Sequence, residues 1–108
     1  MKKIGSMAET YRIEMAPHNP QSEVSTLASL HVDATTPAST IQEYNPNRQP
    51  WVAELFNGGA VRVKDGFAEL PDRPGLGVDL NEKVAAAHPY KPVTRPQNTF
   101  TDGAVADH

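Results

Sequence analysis

The sequence predicts an α/β chain organised around one strand–helix–strand unit. Three observations carry this. Arg12-Ile13-Glu14-Met15-Ala16 alternates polar and apolar residues, as a strand with two unlike faces does. The residues from Ser22 to Thr36 have helical spacing, and Thr40-Ile41-Gln42-Glu43-Tyr44 reads as a second short strand. Two strands joined by one helix run parallel, with a right-handed crossover.

Taken in order, Ile4, Met7, Ala8 and Tyr11 fall at i, i+3, i+4 and i+7, which predicts an amphipathic helix over residues 2 to 11. Met1 and Lys2 offer it no side-chain N-cap, and Gly5 costs up to about 1 kcal/mol relative to alanine. The first strand spans 12 to 16. A Pro17-His18-Asn19-Pro20 loop leads to the helix over 22 to 36, where Ser22 is a suitable N-cap and Glu23 sits well in the first turn. Val24, Leu27, Ala28, His31 and Thr35 form the apolar stripe of that helix, with Leu30 and Ala34 beside it, and Pro37 ends it. The second strand spans 40 to 44 and stops at Asn45-Pro46.

The character changes after residue 45. Pro50 suits the first position of a short helix running through Phe56, and Asn57-Gly58-Gly59 stops it. Segments 60–64 and 67–70 flank Asp65-Gly66, the strongest short hairpin signal in the chain. Residues 71 to 77 form a turn-rich loop. Asp79 followed by Glu82 resembles a capping box for a helix over 80 to 88, ended by Pro89. Prolines 89, 92 and 96 and the lack of apolar period predict a tail that lies extended over a surface or is disordered.

Composition narrows the function classes. With 108 residues, 38% of them hydrophobic and ten of them proline, the chain has room for one modest core. No run of 18 apolar residues exists, so no transmembrane helix is expected, and no apolar segment of signal-peptide type follows Lys2-Lys3. The absence of cysteine excludes disulfides and thiolate metal sites and agrees with a cytoplasmic location. A net charge of −3 with scattered Lys and Arg gives nucleic-acid binding no support.

A parallel strand pair needs cover on both faces and presents two open edges. One preceding helix and one crossover helix do not supply that cover. The chain is therefore expected to be the tail of a longer α/β repeat, entered in mid-repeat. His18 leaves the carboxyl end of a strand just before a helix, the position at which α/β barrels and open α/β sheets keep their chemistry. Position alone favours an ordinary loop histidine over a catalytic one.

The order and spacing of several motifs bear on this. Ala16-Pro17-His18-Asn19-Pro20, the helix Val24-Ser25-Thr26-Leu27-Ala28-Ser29-Leu30-His31, and Ile41-Gln42-Glu43-Tyr44 resemble the end of the catalytic barrel in the mandelate racemase subgroup of the enolase superfamily. Asp65-Gly66-Phe67, Pro74-Gly75-Leu76-Gly77-Val78 and Asp102-Gly103-Ala104-Val105-Ala106-Asp107 extend the similarity, which is greatest to galactonate dehydratase-like acid-sugar dehydratases. Family members often close the last motif with tryptophan, where this chain has His108, a change that bears on packing more than chemistry.

The resemblance implies the C-terminal part of a modified (β/α)7β TIM-type barrel. Residues 1–45 would hold the sixth helix, seventh strand, seventh helix and eighth strand, and residues 46–108 would return as a hairpin and extended tail to a capping domain. It implies proton abstraction α to a carboxylate, with Mg²⁺ holding the enediolate and the β-hydroxyl leaving. His18 matches the family's general base, with an ordinary imidazole range suited to proton transfer at neutral pH. Glu43 matches the acid that binds the substrate carboxylate and favours the enediolate. The metal ligands, the aspartate that orients the base and the second histidine of the dehydratases belong to strands outside this chain. Implied partners are the sugar-acid substrate, the rest of the barrel and further copies of the complete enzyme.

The other polar residues have plainer expectations. Asn19 and Gln21 shape the loop, His31 is a satisfied, partly buried helix residue, and His88 and His108 lie at the surface. Trp51 is a packing anchor. Glu9, Glu14 and Glu23 are solvated charges. Two alternatives stand beside the dehydratase: a racemase or epimerase of the same superfamily, and a non-catalytic remnant or binding module. Alone, the chain is expected to be inactive, marginally stable and prone to associate through its sheet edges. Sedimentation over a dilution series tests the last point, and a cooperative thermal transition in dilute monomer would contradict it.

Overall fold

Helix α1 (Lys2–Thr10) carries no side-chain cap at its start and ends in a Schellman turn. The Ile13 N–H reaches back to Ala8 O at 2.9 Å and the Arg12 N–H to Glu9 O at 3.1 Å. Arg12 adopts φ +56° to close that turn, a left-handed conformation that costs a non-glycine residue roughly 1 kcal/mol. The computed structural model describes residues 1–46, 49–58, 61–92 and 99–104. The remainder of the predicted tail, His108 included, lies outside the described residues.

The expected strands at 12–16 and 40–44 contract to one parallel bridge, Met15 to Ser39. Its two bonds run from Met15 N–H to Ala38 O at 2.7 Å and from Thr40 N–H to Met15 O at 3.2 Å. The contraction has a local cause at each end. The next donor along this edge toward the carboxyl end is residue 17, a proline with no N–H. The next toward the amino end is Ile13, whose N–H is already given to Ala8 in the Schellman turn. The Gln42 side-chain amide donates to Pro17 O at 3.3 Å where a ladder would have placed a backbone N–H.

Helix α2 (Glu23–Asp33) starts at Ser22, whose hydroxyl accepts from the Ser25 N–H. It ends three residues before the predicted limit. Its buried residues are Glu23, Thr26, Leu27, Ser29 and Leu30, so the predicted stripe is displaced by one residue. Val24 and Ala28, expected inside, are exposed. The displacement arises because residues 23 and 26 are polar and find partners inside, so burying them satisfies donors that the Val24 face would leave unpaired. Leu27 and Leu30 form the core with Val61, and Tyr44, Ala68, Leu76 and Val78 pack around them.

Glu23 corrects an expectation. It is not a solvated charge: only 2% of it is exposed. Its carboxylate accepts from the Val61 N–H at 3.3 Å and the Tyr44 hydroxyl at 3.5 Å, which ties the segment after residue 60 to the start of α2. Glu9 and Glu14 are exposed.

Beyond residue 45 the elements are short. A 3-10 turn, Pro50–Leu55, has proline in its first turn and runs into β1 (Phe56–Asn57). The Asp65-Gly66 turn joins β2 (Val63–Lys64) and β3 (Phe67–Ala68), with φ +51° and +82° at its two central residues, as a type I′ hairpin needs. Asp79 does not cap the following helix. It pairs in β4 (Asp79–Leu80), antiparallel to β1, and the cap of α3 (Glu82–Ala87) is Asn81, whose side chain accepts from the Val84 N–H. Trp51 is half-buried and stacks on His88 with ring centroids 4.0 Å apart. Among the described residues no helix is long and apolar enough to cross a membrane.

Gly5 has a packing purpose in place of the predicted cost. A Cβ there would stand 2.7 Å from Thr36 Cγ2, and Thr36 is itself buried. Helix α1 therefore docks through Gly5 and Ala8, while Ile4, Met7 and Tyr11 of the predicted stripe stay exposed. Gly5→Ala is expected to lower the urea midpoint, because overpacking of roughly 1–3 kcal/mol exceeds the helix-propensity gain of about 1 kcal/mol. A raised midpoint would contradict this close approach. Glu23→Ala leaves the Val61 N–H without this acceptor, at a cost of about 1–3 kcal/mol. Faster amide exchange at Val61, with the amides of α1 unchanged and partial recovery in Glu23→Gln, is the expected reading.

Candidate active site

The loop between the bridge and α2 brings His18 and Glu43 together. His18 follows Pro17, and Pro20 bounds the loop on its other side, so the backbone at both ends has restricted φ. Glu43 stands four residues beyond the bridge residue Ser39. His18 Nδ1 lies 2.8 Å from Glu43 Oε2, with the imidazole 81% exposed and the carboxylate side chain 44% exposed. The same Oε2 accepts the Asn19 backbone N–H at 2.7 Å. A single carboxylate oxygen thus holds two consecutive residues of the loop.

The chemistry of that contact follows from the atoms. An ionised carboxylate only accepts, so Nδ1 must carry the proton it gives to Glu43. In the neutral imidazole this leaves the lone pair on Nε2. When Nε2 takes a proton, the resulting cation sits beside a carboxylate that stabilises it by a charge-assisted hydrogen bond. The contact thus pairs an imidazole with a carboxylate within hydrogen-bond reach.

Asn19 is wholly buried. Its side-chain amide donates to Thr26 Oγ1 at 2.7 Å and to Glu43 O at 3.3 Å. Sequence reading placed Asn19 in the loop as a shaping residue but missed Thr26 altogether. The available signal was a polar pair, Glu23 and Thr26, spaced to share one helix face with Leu27 and Leu30. Gln21 is exposed and stands outside these bonds.

The other histidines stand apart from the pair. His31 is half-buried as expected, but its Nε2 is shielded from solvent and has no hydrogen-bond partner among the described residues, so it is not the satisfied histidine that the sequence suggested. His88 is exposed, with Nδ1 3.0 Å from Val84 O and its ring against Trp51. A separate cavity of about 280 Å³, lined by Leu27, Val61, Arg62, Asp72 and Arg73 among others, does not include His18 or Glu43. Among the described residues no three His, Asp or Glu side chains gather as a metal site, and the His18–Glu43 pair is not one.

Comparison with known proteins identifies the family. The family described as enolase C-terminal domain-like matches residues 1–84. A D-galactonate dehydratase family member from Streptomyces bingchenggensis is 38% identical across 99% of this chain, and the match covers 26% of that protein. The crystal structure of an enolase from Agrobacterium radiobacter, titled a putative galactarate dehydratase with bound Na and L-malate, superposes with a TM-score of 0.83. It is 31% identical, over 97% of this chain and 30% of that one. A putative L-alanine-DL-glutamate epimerase from Burkholderia xenovorans, bound to magnesium and fumarate, gives a TM-score of 0.77 at 36% identity, over 82% of this chain and 22% of that one. The chain therefore spans about a quarter of the length of the relatives it matches. By the family match over residues 1–84 and these similarities, the chain belongs to the enolase superfamily as an α/β segment of its C-terminal domain, similar to the galactonate dehydratase family.

Proposed function

We propose that this chain is the part of a sugar-acid dehydratase that carries its proton-abstracting histidine. The observation that carries the reading is the 2.8 Å contact of His18 Nδ1 with Glu43 Oε2 in the loop that links a parallel bridge to a helix. In this reading His18 Nε2 takes the proton α to the substrate carboxylate, and the electron pair left behind forms the enediolate. Expulsion of the β-hydroxyl as water, protonated by an acid outside this chain, completes the elimination. Glu43 hydrogen-bonds the substrate carboxylate and favours the enediolate, and the aspartate that orients His18 is assigned to the rest of the enzyme.

The same reading assigns residues 1–45 to the last elements of a (β/α)7β barrel and residues 46–108 to a segment that packs back on a capping domain. It supplies the rest of the barrel as partner and makes the whole enzyme an oligomer of identical chains in the cytoplasm. The described residues do not fit a Mg²⁺ ion. Its carboxylate ligands are assigned to the rest of the enzyme. The dehydratase names of similar proteins support this reading over the racemase or epimerase reading, which the similarity to a putative epimerase keeps as the second.

In the whole enzyme, His18→Asn is expected to lower dehydration of a sugar acid by about 10²–10⁴-fold. Exchange of the α-proton with solvent deuterium should fall in parallel, and full exchange in the variant would overturn the assignment. Product analysis separates the two readings. Loss of the β-hydroxyl marks the dehydratase, whereas deuterium at the α-carbon with that hydroxyl retained marks the epimerase.

A further inference from the structure

Asn19 and Thr26 are both wholly buried. The Thr26 hydroxyl gives its proton to Ser22 O at 3.2 Å, so at its 2.7 Å contact with Asn19 it accepts, and the Asn19 atom there is the nitrogen. The other amide proton goes to Glu43 O at 3.3 Å. Turned about, the amide would set its oxygen against that carbonyl and against a hydroxyl whose proton is already engaged. Asn19 Oδ1 is left buried without a partner among the described residues, so the side chain holds Glu43 through its donors alone.

The backbone of Asn19 donates to Glu43 Oε2 at 2.7 Å, whereas Glu43 Oε1 has no hydrogen-bond partner among the described residues. Asn19 therefore grips Glu43 twice, at its peptide oxygen and at one carboxylate oxygen, and is itself gripped by the first turn of α2. Residues 41–44 belong to no strand, and the Glu43 side chain is 44% exposed, so neither a ladder nor burial fixes this carboxylate. What fixes it is the buried residue behind it. A carboxyl that hydrogen-bonds a substrate carboxylate must supply the proton itself, because an ionised partner only accepts. With Oε2 accepting from Asn19, that proton belongs on Oε1.

We infer that Asn19, braced by Thr26, is a positioning residue that holds Glu43 Oε2 and so presents Oε1 as the oxygen that meets the substrate carboxylate. Asn19 acts through Glu43, and the inference rests on the reading in which Glu43 hydrogen-bonds that carboxylate. The base is untouched by it, since His18 is oriented in that reading by an aspartate of the rest of the enzyme. The substrate carboxylate gains negative charge in the enediolate, so a displaced Oε1 costs the transition state more than the bound substrate. A Val at position 26 keeps the shape of Thr26 and removes the acceptor. A Ser keeps the acceptor.

The test is the steady-state kinetics of the whole enzyme on a panel of pentonates and hexonates. Thr26→Val is expected to lower kcat about fivefold, the equivalent of one hydrogen bond, with KM little changed. Thr26→Ser should stay near wild type. In a Glu43→Gln background Thr26→Val should cost nothing more, because the residue it acts through is already disabled. Wild-type kcat in folded Thr26→Val overturns the inference, and so does an equal loss in the Glu43→Gln background, which is what a merely structural role gives. If Thr26→Val does not fold, the wild-type 108-residue chain decides by NMR. The Asn19 backbone amide proton must shift as Glu43 titrates and must lose that response in Glu43→Gln. No response in the wild-type chain overturns the inference. An enzyme that dehydrates none of these probes removes the proposed function instead, and the Asn19 amide then decides the hold on Glu43 by itself.

Discussion

A wholly buried asparagine one residue after an exposed histidine is the constraint from which the rest of this structure follows. Asn19 cannot be buried unless its amide protons find acceptors, since an orphaned buried donor costs about 1–3 kcal/mol. The acceptors come from two different places, the first turn of α2 and the segment that returns from it. Satisfying these amide protons fixes the loop, the helix start and residue 43 relative to one another, while the Asn19 Oδ1 stays buried without a partner among the described residues. The contact between His18 and Glu43 is exposed and stands on that buried frame.

The same logic of satisfied polar groups governs the other end of the helix start. Glu23 is buried one residue after the N-cap and accepts from the backbone N–H of Val61, 38 residues downstream, and from the hydroxyl of Tyr44. Leu27, Leu30 and Val61 supply the apolar packing around this tie. A core that small depends on its polar contacts for register more than a large domain would. The open apolar residues of α1, with Ile13 and Ile41, belong to the same picture. In the relatives, of whose length this chain spans about a quarter, most of the protein lies outside the matched part.

The strand pair shows how single residues limit a ladder. A parallel pair needs a donor at every second residue of each edge. Pro17 has none, and Ile13 has spent its own on the end of α1, so one bridge remains between two limits two residues away on either side. The alternating pattern of 12–16 marked Met15, half-buried at the bridge, but Ile13 on the same predicted face is 60% exposed. It carried no information on where the backbone donors were already engaged, because that depends on the turn before it and the proline after it.

By itself the sequence determined the main helices, the hairpin and the family of the chain. The spacing of apolar residues marked α1 and α2, Ser22 marked a helix start, Asp65-Gly66 marked a hairpin, and the motifs around His18 and Glu43 pointed to the enolase superfamily. Those features depend on neighbours within a few residues, or on residue types in a fixed order. Only the tertiary structure decided which face of α2 is buried, that Gly5 is a point of close approach, that Asn81 and not Asp79 caps α3, and that Asn19 and Thr26 stand behind Glu43. Each of those outcomes turns on a partner distant along the chain. Hydrophobic periodicity cannot register such a partner, because a polar side chain reads as outward-facing until the group that satisfies it is brought into reach.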